Sequence, residues 1–469
     1  MIGAALICWS CDLELANQLA AIRMKKMAER IWVETLGCPK NQVDSDKLGF
    51  RANRAGYLPA AEPQQADLIV VNTCAFIESA REESISTILE MADLKKTGGR
   101  LVVTGCMAER YQAELATELP EVDIVVGFGG DFLVSQTSVA SGFVGQTSVA
   151  IGSKPAKTAF HSDTTFALPE MDLLNLARAR SDSPWAYLKV AEGCDRRCGF
   201  CAIPSFRGKQ RSRRIEEILA EAATLDVKEL VLVAQDLASY GRDIYGRPRL
   251  VELIELLRRQ VDWVRLLYIY PSELKPELIE SIIGTGVPYF DLSLQHVSRP
   301  LVKRMRRFGS GELFLKRVAE IRKLEPGATL RSSFIIGYPG ETEQDHRALL
   351  DFLEEAQLDW VGLFAYSRED GTFSANLDGD VDSELAMQRL REASELQDQI
   401  TRRRRDSQVG RELDVLVDSV GVARSYMEAP EIDGIIKVGA DLRVGGFQRV
   451  RVTSSTGPDL TAEPCELGV

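Results

Sequence analysis

The chain of 469 residues has little histidine, no long apolar run and no excess of positive charge. Histidine occurs only at positions 161, 296 and 346, so a metal site built from imidazoles is nearly excluded, and any bound metal should be held by cysteine. No apolar run approaches the roughly 20 residues that a membrane-spanning helix needs. The formal net charge of −12 argues against a protein whose main role is to grip nucleic acid over a wide surface.

Cysteine is also sparse, at nine residues, and the number is odd. This argues against a disulfide scaffold. The apolar residues 2–9 lack a preceding positive charge and a clear cleavage site, so we expect no secretory signal and a cytoplasmic protein. Hydrophobic residues make up 45% of the chain, enough to bury a core, and the length suggests about three domains. The composition leaves open why such a chain keeps nine thiols.

Three of the nine cysteines lie near the chain ends. Residues 1–30 are interpreted as an extension of doubtful order, and they contain Cys8 and Cys11 as a Cys-x-x-Cys pair, which alone is weak evidence for a site. Cys465 is interpreted as structural or incidental. Six cysteines remain to be explained.

Three cysteines follow three strand-like runs in residues 31–130, the expected N-terminal domain. IWVETLG leads to Cys38, ADLIVVNT to Cys74 and RLVVTG to Cys106, with helical patterns over 41–55, 78–94 and 108–118 and a fourth strand at 122–127. Alternating strands and helices predict a parallel sheet, and ligands bind beyond the carboxyl ends of such strands. We therefore expect these three cysteines to meet in a shared site.

The rest of the chain divides into three further parts, which completes an α/β fold. Residues 131–179 are rich in Ser, Thr and Gly, contain QTSVA twice, and are interpreted as an interdomain linker. Residues 180–403 contain six strand-like runs alternating with helices, which indicates a partial (βα)6 barrel. The runs are 186–192, 229–235, 264–270, 289–295, 330–337 and 360–367. Residues 404–469 have short strands with Gly and Asp turns, which predicts a small all-β, OB-like barrel.

The last three cysteines form the motif Cys-x3-Cys-x2-Cys in GCDRRCGFCAIP, directly after the first strand of the predicted barrel. Thiolates of Cys194, Cys198 and Cys201 at this spacing are typical of an iron–sulfur cluster. Three ligands for four irons leave one iron open to bind a substrate or cofactor. Zinc is the alternative, but structural zinc needs four ligands and no fourth cysteine or histidine lies nearby in sequence. A redox or disulfide loop is a further alternative.

This motif and its position resemble the radical S-adenosylmethionine (SAM) superfamily. The resemblance implies a [4Fe-4S] cluster on Cys194, Cys198 and Cys201 whose open iron chelates SAM, and reductive cleavage of SAM to a 5′-deoxyadenosyl radical. It also implies tentative SAM contacts at Phe200 beside the adenine, at Gln235 with Asp236 after the second strand, and at Gly337 in the GYPGE turn after the fifth.

Over nearly the whole chain from residue 31, the sequence resembles the methylthiotransferases within that superfamily. The stretches LGCPKNQVDSD, VNTCAFIESAREES, GCMAERY and EGCDRRCGFCAIPSFRGK occur in the family's order, and the C-terminal barrel looks like a TRAM domain. The resemblance implies a second [4Fe-4S] cluster on Cys38, Cys74 and Cys106, linked to the inserted sulfur. It implies that a substrate C–H becomes C–S–CH3, with one SAM supplying the methyl group and another the radical.

The branch of the family, and hence the substrate, is suggested by several shorter stretches. GCPKNQVDSD, CAIPSFRGK, LYIYP, DLSLQH, RSSFIIGYPGE and RSYMEAPEIDG resemble the branch that adds a β-methylthio group to an aspartyl residue of small-subunit (30S) ribosomal protein number twelve. Residues 407–469 carry six basic against ten acidic residues, which suits a basic protein partner better than tRNA. The alternatives are a tRNA adenosine methylthiotransferase and a non-catalytic iron–sulfur factor that binds ribosome or RNA. An electron donor such as flavodoxin or ferredoxin is expected, and the sequence does not indicate the sulfur donor.

Overall fold

The computed structural model describes residues 28–133, 158–161, 164–167 and 171–465. Cys8 and Cys11, the rest of the N-terminal extension and both QTSVA copies lie outside the described residues. Three units follow one another along the chain: an α/β sheet, an open α/β barrel and a closed β-barrel. The predicted fold class is therefore confirmed. No helix within these ranges has both the length and the apolar character needed to span a membrane.

The N-terminal unit is a sheet in which cysteine follows three neighbouring strands. The sheet order is β2-β1-β3-β4-β5-β6-β7, parallel up to β5. Its strands are β1 (Arg30–Thr35), β2 (Leu58–Pro59), β3 (Leu68–Thr73), β4 (Arg100–Gly105), β5 (Ile124–Val125), β6 (Thr158–His161) and β7 (Thr164–Ala167). All six residues of β3 are buried, as expected for a central parallel strand with helices on both faces.

Four helices cover this sheet. They are α1 (Pro39–Arg54), α2 (Glu78–Leu94), α3 (Cys106–Arg110) and α4 (Gln112–Glu118). Leu68 and Val70 pack with Leu48 of α1 on one face, whereas Ile69 and Val71 pack with helix α2 residues on the other. The alternation of β3 side chains thus builds two cores. The single helix predicted over 108–118 is in fact two, because the backbone at Tyr111 leaves the helical conformation.

The range expected to be a linker, 131–179, contributes more structure than the sequence predicts. Strands β6 and β7 form an antiparallel hairpin that pairs with β5 at the edge of the N-terminal sheet. Further along, the backbone carbonyl of Leu174 accepts a hydrogen bond of 2.6 Å from Lys47 of α1. The sequence prediction missed these elements because they depend on pairing with β5 and on contact with α1. Such long-range contacts cannot be predicted from the local Ser, Thr and Gly content.

The central unit is an open barrel of six parallel strands, as predicted. Its strands are β8 (Trp185–Lys189), β11 (Glu229–Val233), β12 (Trp263–Leu266), β13 (Tyr289–Gln295), β14 (Thr329–Ile336) and β15 (Trp360–Ala365), and a short pair, β9 (Ala191–Glu192) and β10 (Arg211–Ser212), extends the loop region after β8. They form two parallel three-stranded sheets that a bridge between Ile269 and Leu292 joins.

The longer helices of this unit surround the outside of the barrel, and the short helix Ile203–Phe206 packs against the N-terminal unit. The helices of this unit are α5 (Ile203–Phe206), α6 (Ile215–Leu225), α7 (Arg242–Tyr245), α8 (Leu250–Leu257), α9 (Pro276–Ile283), α10 (Arg299–Arg304), α11 (Gly311–Leu324), α12 (Glu343–Ala356) and α13 (Ser383–Asp406). A capping box starts α12: Thr342 accepts from the Asp345 backbone N–H at 3.2 Å, and the Asp345 carboxylate accepts from the Thr342 N–H at 2.9 Å. Of the arginine run that ends α13, Arg402 and Arg403 are exposed, but Arg405 is buried and pairs with Glu428 of the C-terminal barrel.

The C-terminal unit is a closed five-stranded barrel with the order β16-β17-β18-β20-β19. Its strands are β16 (Glu412–Ser419), β17 (Val422–Arg424), β18 (Ile436–Lys437), β19 (Phe447–Thr456) and β20 (Asp459–Pro464). It docks on the barrel at the amino-terminal ends of the parallel strands. There Trp360 donates to the Met427 carbonyl at 2.7 Å and the Tyr289 hydroxyl to Asp433 at 2.6 Å. The carboxyl ends of the strands, where the cysteines lie, face away from this contact.

Candidate functional site

The first cysteine trio lies along the carboxyl edge of the N-terminal sheet. Cys38 follows β1 and precedes the first residue of α1, Cys74 follows β3, and Cys106 opens α3 after β4. Because β1, β3 and β4 are neighbours in the sheet, the three thiols are brought to one place, as the sequence predicts. Cys74 and Cys106 are buried and Cys38 is partly buried.

Two glycines let the chain turn tightly before the cysteines. Gly37 has φ +90°, and a Cβ there would lie 2.7 Å from the Cys74 Cβ and 2.8 Å from its Sγ. Gly105 has φ +94°, and a Cβ there would lie 2.4 Å from the Asn72 side-chain oxygen. Only glycine adopts these conformations at such close approach without strain. The Gly-Cys pairs in LGC and TGC are therefore structural requirements of this edge.

Two buried asparagines hold the strand ends together. Asn41 donates to the backbone carbonyls of Leu36 at 2.9 Å and of Thr73 at 3.0 Å, which ties the loop after β1 to the end of β3. Asn72 donates to the Asn41 carbonyl at 2.9 Å. Both side chains are fully desolvated and hydrogen-bonded, which gives a rigid frame. Our sequence prediction did not assign them, although both stand within three residues of a cysteine in quoted motifs.

Arg207 reaches this trio from the barrel. Its guanidinium Nη2 lies 3.1 Å from the Cys106 Sγ and donates to the Asn41 side-chain oxygen at 2.7 Å, while Nη1 donates to Glu192 at 2.9 Å and to Asp44 at 3.2 Å. Arg207 stands in the quoted stretch CAIPSFRGK, six residues after Cys201, but no role was predicted for it. It joins the two cysteine-bearing loops directly.

The protonation of the first trio follows from burial and these cations. Burial raises the pKa of Cys74 to about 12, and burial also raises that of Cys106 although Arg207 opposes it. Burial would also raise the pKa of Cys38, but the positive charges of Lys40 and Arg207 stabilise its thiolate, so the pKa of Cys38 is lowered. A metal cluster requires thiolates, so loading it must displace protons from these groups.

The second trio lies on the loop after β8 and β9, at the same end of the barrel. The Cys194 Sγ accepts from the Arg196 backbone N–H at 3.3 Å, and the Cys201 N–H donates to the Cys198 carbonyl at 3.2 Å. Arg307 donates to the Cys198 Sγ at 3.1 Å. Burial raises the pKa of Cys194 to about 11 and that of Cys201 to about 12. The arrangement matches the first trio, since in each a buried or half-buried arginine contacts one sulfur.

Arginine and tyrosine side chains brace the second loop against the barrel. Arg196 donates to Asp236 at 2.6 Å and to Glu273 at 3.0 Å. Two guanidinium groups contact the Tyr270 ring, with Arg196 4.0 Å and Arg307 4.3 Å from its centroid. These cation–π contacts hold the loop against the barrel through the Tyr270 ring.

The residues predicted to contact SAM lie around this loop. Phe200 packs against an apolar cluster of Leu301, Met305 and Tyr338. Gln235 donates to Glu192 at 2.5 Å, and its own side-chain oxygen is buried with no hydrogen-bond partner. The Asp236 Oδ1 is likewise buried and unpaired. Gly337 has φ +80° and its N–H donates to Glu341 at 2.6 Å. Orphaned buried oxygens beside the second trio fit a polar ligand there.

The two loop regions are held face to face by buried charges. Lys189 of β8 contacts both Asp44 of α1 and Glu192. Burial alone would raise the pKa of Glu192, but the positive charges of Arg207 and Lys189 outweigh this effect and lower the pKa to about 2. On the other side, Arg110 Nη1 of α3 donates to Glu369 in the loop after β15 at 2.6 Å. These ion pairs fix the sheet edge against the barrel mouth.

The cysteine sets suit clusters better than single ions. Within the described ranges, no three histidine, cysteine or acidic side chains form a site for one metal ion. Structural zinc needs four ligands at bonding distance, whereas an iron–sulfur cluster is larger and is held by thiolates around its corners. Three thiols with backbone or arginine donors to their sulfurs are the kind of ligand set that an iron–sulfur cluster needs.

Comparison with known families divides the chain into three matches. Residues 30–127 match the uncharacterized protein family UPF0004, residues 188–353 the radical SAM superfamily, and residues 409–465 the TRAM domain. The radical SAM match includes the second trio, and radical SAM enzymes use a [4Fe-4S] cluster with SAM. The first trio falls within the UPF0004 match.

Curated relatives cover nearly the whole chain. The ribosomal protein uS12 methylthiotransferase RimO of Moorella thermoacetica is 42% identical over 421 residues, which is 88% of this chain and 93% of the relative. The RimO proteins of Saccharopolyspora erythraea and Cutibacterium acnes are 42% and 41% identical, over 93% and 92% of this chain and 95% and 97% of their own.

A solved structure shares the fold at low identity. The radical SAM methyltransferase TsrM from Kitasatospora setae, with tryptophan and a SAM analogue bound, has a TM-score of 0.51 and 14% identity over 72% of this chain and 73% of its own. That likeness supports the sheet-and-barrel architecture alone. The identity to the curated relatives, over most of both chains, carries the assignment further: the protein belongs to the RimO family of radical SAM methylthiotransferases.

Proposed function

We propose that this chain adds a β-methylthio group to an aspartyl residue of ribosomal protein uS12. The observation that carries the proposal is the meeting of two cysteine trios, on different domains, across the Arg207 contact that reaches Cys106. Sulfur insertion needs a sulfur source beside the site where a substrate radical forms. A sheet edge with three thiols, fixed against the mouth of a radical SAM barrel, supplies that juxtaposition.

The cysteines divide the work between two clusters. Cys194, Cys198 and Cys201 would hold the radical SAM cluster, and Cys38, Cys74 and Cys106 would hold the second. When bound, the clusters and SAM supply the hydrogen-abstracting radical, the inserted sulfur and the methyl group. The chain's own side chains orient and shield: Phe200, Gln235 and Gly337 would line the SAM site.

The choice of uS12 as substrate is supported by the relatives and by charge. The curated relatives at about 40% identity carry uS12 methylthiotransferase names. On the C-terminal barrel, Arg449 and Arg451 lie on the outside but pair with Asp414 and Glu412, so they do not form a free basic face. Such a surface suits a basic protein better than tRNA. We place the reaction in the cytoplasm, with a flavodoxin or ferredoxin as electron donor.

The test is a pair of parallel assays with anaerobically reconstituted enzyme, SAM and a reductant. Incubation with uS12 should give the mass gain of one methylthio group on an aspartyl residue, and incubation with tRNA should give none. Cys198→Ala should abolish the modification, whereas Cys465→Ala, a matched cysteine far from both trios in sequence, should not. Modified tRNA with unmodified uS12 would overturn the proposal, and 5′-deoxyadenosine without any modified product would favour a different substrate.

A further inference from the structure

The surface around the loop of the second trio is basic, although the chain as a whole is acidic. The chain carries 57 basic against 69 acidic residues. The loop of the second trio contains Arg196 and Arg197 against one acid, Asp195, whose carboxylate accepts from the Gln210 N–H at 3.2 Å. Residues 296–311 contain no acidic residue and five basic ones, which are Arg299, Lys303, Arg304, Arg306 and Arg307. The local balance of charge is therefore the reverse of the overall one.

These two segments pack directly on each other. The Gly199 N–H donates to the Met305 carbonyl at 2.8 Å, and Phe200 packs against the apolar cluster that contains Met305. Two residues further on, Arg307 donates to the Cys198 sulfur at 3.1 Å. Helix α10 and the turn that follows it therefore lie directly against the loop that carries the second trio.

Four basic side chains of these segments are free, and we call them the basic patch. All four are exposed, and none forms an ion pair with any residue that the structure describes: Arg197, Arg299, Lys303 and Arg306. The other three basic side chains of the two segments are engaged by carboxylates or by the Cys198 sulfur. The patch also differs from the outside of the C-terminal barrel, where the arginines are paired.

Two exposed phenylalanines adjoin the basic patch. Phe308 is 46% exposed and follows Arg307, which contacts a sulfur of the second trio. Phe373 is 38% exposed, its ring centroid lies 3.4 Å from the Arg306 guanidinium, and the N–H of the next residue donates to the Gly199 carbonyl at 2.8 Å. Arginine and aromatic side chains are enriched at protein interfaces. A surface of this composition thus lies one residue away from a side chain that contacts the trio.

We propose that this surface, the basic patch with Phe308 and Phe373, docks the acidic protein that supplies electrons to the cluster of the second trio. The inference rests on the radical step of the proposed function, which needs an electron donor. The docked donor gives one electron to the cluster, so that the donor is oxidised by one electron, the cluster is reduced by one, and no bond forms or breaks. Attraction between opposite charges steers such partners together and gives fast association through a small contact area.

The sign and the position of the patch distinguish the donor from other partners. The ribosomal-protein substrate is expected to be basic, so free cations would repel it. A nucleic acid would be attracted, but its binding gains nothing from proximity to the trio. Electron transfer does require proximity, and the patch stands on the two segments that form and contact the loop of the second trio.

The experiment measures the reduction of wild-type holoenzyme and three variants by flavodoxin hydroquinone, which serves as the acidic one-electron donor. Lys303→Glu/Arg306→Glu reverses two charges of the patch. Arg299→Glu/Lys303→Glu also reverses two charges and leaves Arg306 on the Phe373 ring. The control is Lys316→Glu/Lys323→Glu, which changes the net charge equally on helix α11, where both lysines are exposed and form no ion pair with a described residue.

Two quantities should fall about 10- to 100-fold in both patch variants and by less than about twofold in the control. They are the second-order rate constant of reduction and the affinity for oxidised flavodoxin, measured by titration calorimetry at low salt. Added salt should slow the wild type toward the patch variants, because exposed charges are screened. Photoreduced 5-deazariboflavin, a small uncharged reductant, should reduce all four proteins equally, and their iron contents should agree.

Several results would overturn this docking surface. An unchanged flavodoxin rate and affinity in both patch variants would do so, as would an equal loss in the control. Slower reduction by 5-deazariboflavin or loss of iron in both patch variants would indicate a structural role instead. Loss of affinity for ribosomal RNA with full affinity for flavodoxin would assign the patch to nucleic acid. A wild type that flavodoxin reduces through the patch, but that modifies no uS12, would overturn the proposed substrate and leave the docking surface in place.

Discussion

At the scale of single residues, each cysteine trio has its own arginine in contact with one sulfur. Arg207 contacts the Cys106 sulfur at 3.1 Å, and Arg307 contacts the Cys198 sulfur at 3.1 Å. Hydrogen bonds to ligand sulfur raise the reduction potential of an iron–sulfur cluster, because they stabilise the more negative, reduced state. Each arginine should therefore tune its own cluster and leave the other unchanged.

We expect Arg207→Met to lower the midpoint potential of the proposed N-terminal cluster by on the order of 50–100 mV, since a hydrogen bond to a charged group contributes about 1.5–3 kcal/mol. Arg307→Met should do the same to the radical SAM cluster only. Redox titration followed by electron paramagnetic resonance measures both. Because Arg207 also pairs with Asp44 and Glu192, Arg207→Lys serves as a milder variant. An equal shift in the midpoint potentials of both clusters, in Arg207→Met or in Arg307→Met, would contradict this assignment.

His296 gives a second prediction at this scale. Burial lowers its pKa to about 4, and its Nδ1 accepts from the Ser298 N–H at 3.1 Å, so the folded protein holds it neutral. In the unfolded chain its pKa is about 6.5, so the unfolded state takes up a proton first as the pH falls. The stability from His296 is thus full above about pH 6.5 and is lost toward pH 4. Between about pH 7 and about pH 5.5, the wild type should lose about 1.2 kcal/mol more unfolding free energy than His296→Gln in urea unfolding. An equal loss of unfolding free energy in the two proteins over this pH range would contradict the prediction.

At the scale of elements, the decisive features are the turns between strand and helix that carry the cysteines. The turn after β1 passes so close to Cys74 that a Cβ at Gly37 would overlap its side chain. Gly37→Ala should therefore displace either Cys38 or Cys74 from the sheet edge. We expect this variant to lose about half of the bound iron, while the radical SAM trio still supports 5′-deoxyadenosine formation. Gly56→Ala is a control for positive φ alone, because its φ is +98° but no atom lies within 4 Å of the added Cβ. Full iron content in Gly37→Ala would contradict the close packing.

The sequence predicts these elements well where local pattern determines them. Helix α2 and strand β4 have the bounds predicted from the sequence, 78–94 and 100–105. Local residue preference marks both, because 78–94 is rich in helix-forming Glu, Ala and Leu, and 101–103 is the strand-forming run Leu-Val-Val. The grouping of Cys38, Cys74 and Cys106 at one sheet edge also followed from topology alone. The hairpin β6–β7, the Asn41 and Asn72 frame and the reach of Arg207 could not be predicted, since each depends on contacts between residues far apart in sequence.

At the scale of the whole molecule, buried charges join the C-terminal barrel to the core. Glu229 at the start of β11 pairs with Arg265 at 2.6 Å and with Arg424 of β17 at 2.8 Å, and Arg424 also pairs with Asp418. All except Asp418 have side chains at most 2% exposed. Removing one partner of such a network leaves a buried charge uncompensated.

Arg424→Met should therefore destabilise the domain contact by about 3–5 kcal/mol, with unchanged iron content, because the cysteines lie at the other end of the strands. Calorimetry and limited proteolysis should show a lower Tm and faster release of a C-terminal fragment. Arg451→Met is the matched control, since its pair with Glu412 is exposed and contributes about 0–1 kcal/mol. If both variants behaved like the wild type, the network would not hold the two units together.

The measurement that tests the central claim is the anaerobic iron and sulfide content of three proteins. These are the wild type, the Cys194/Cys198/Cys201 triple alanine variant and the Cys38/Cys74/Cys106 triple alanine variant. Two four-iron clusters predict about eight irons per wild-type chain and about four in each variant. The second variant should still form 5′-deoxyadenosine from SAM, whereas the first should not. Full iron in the second variant, or loss of all iron in either one, would contradict two independent three-cysteine sites.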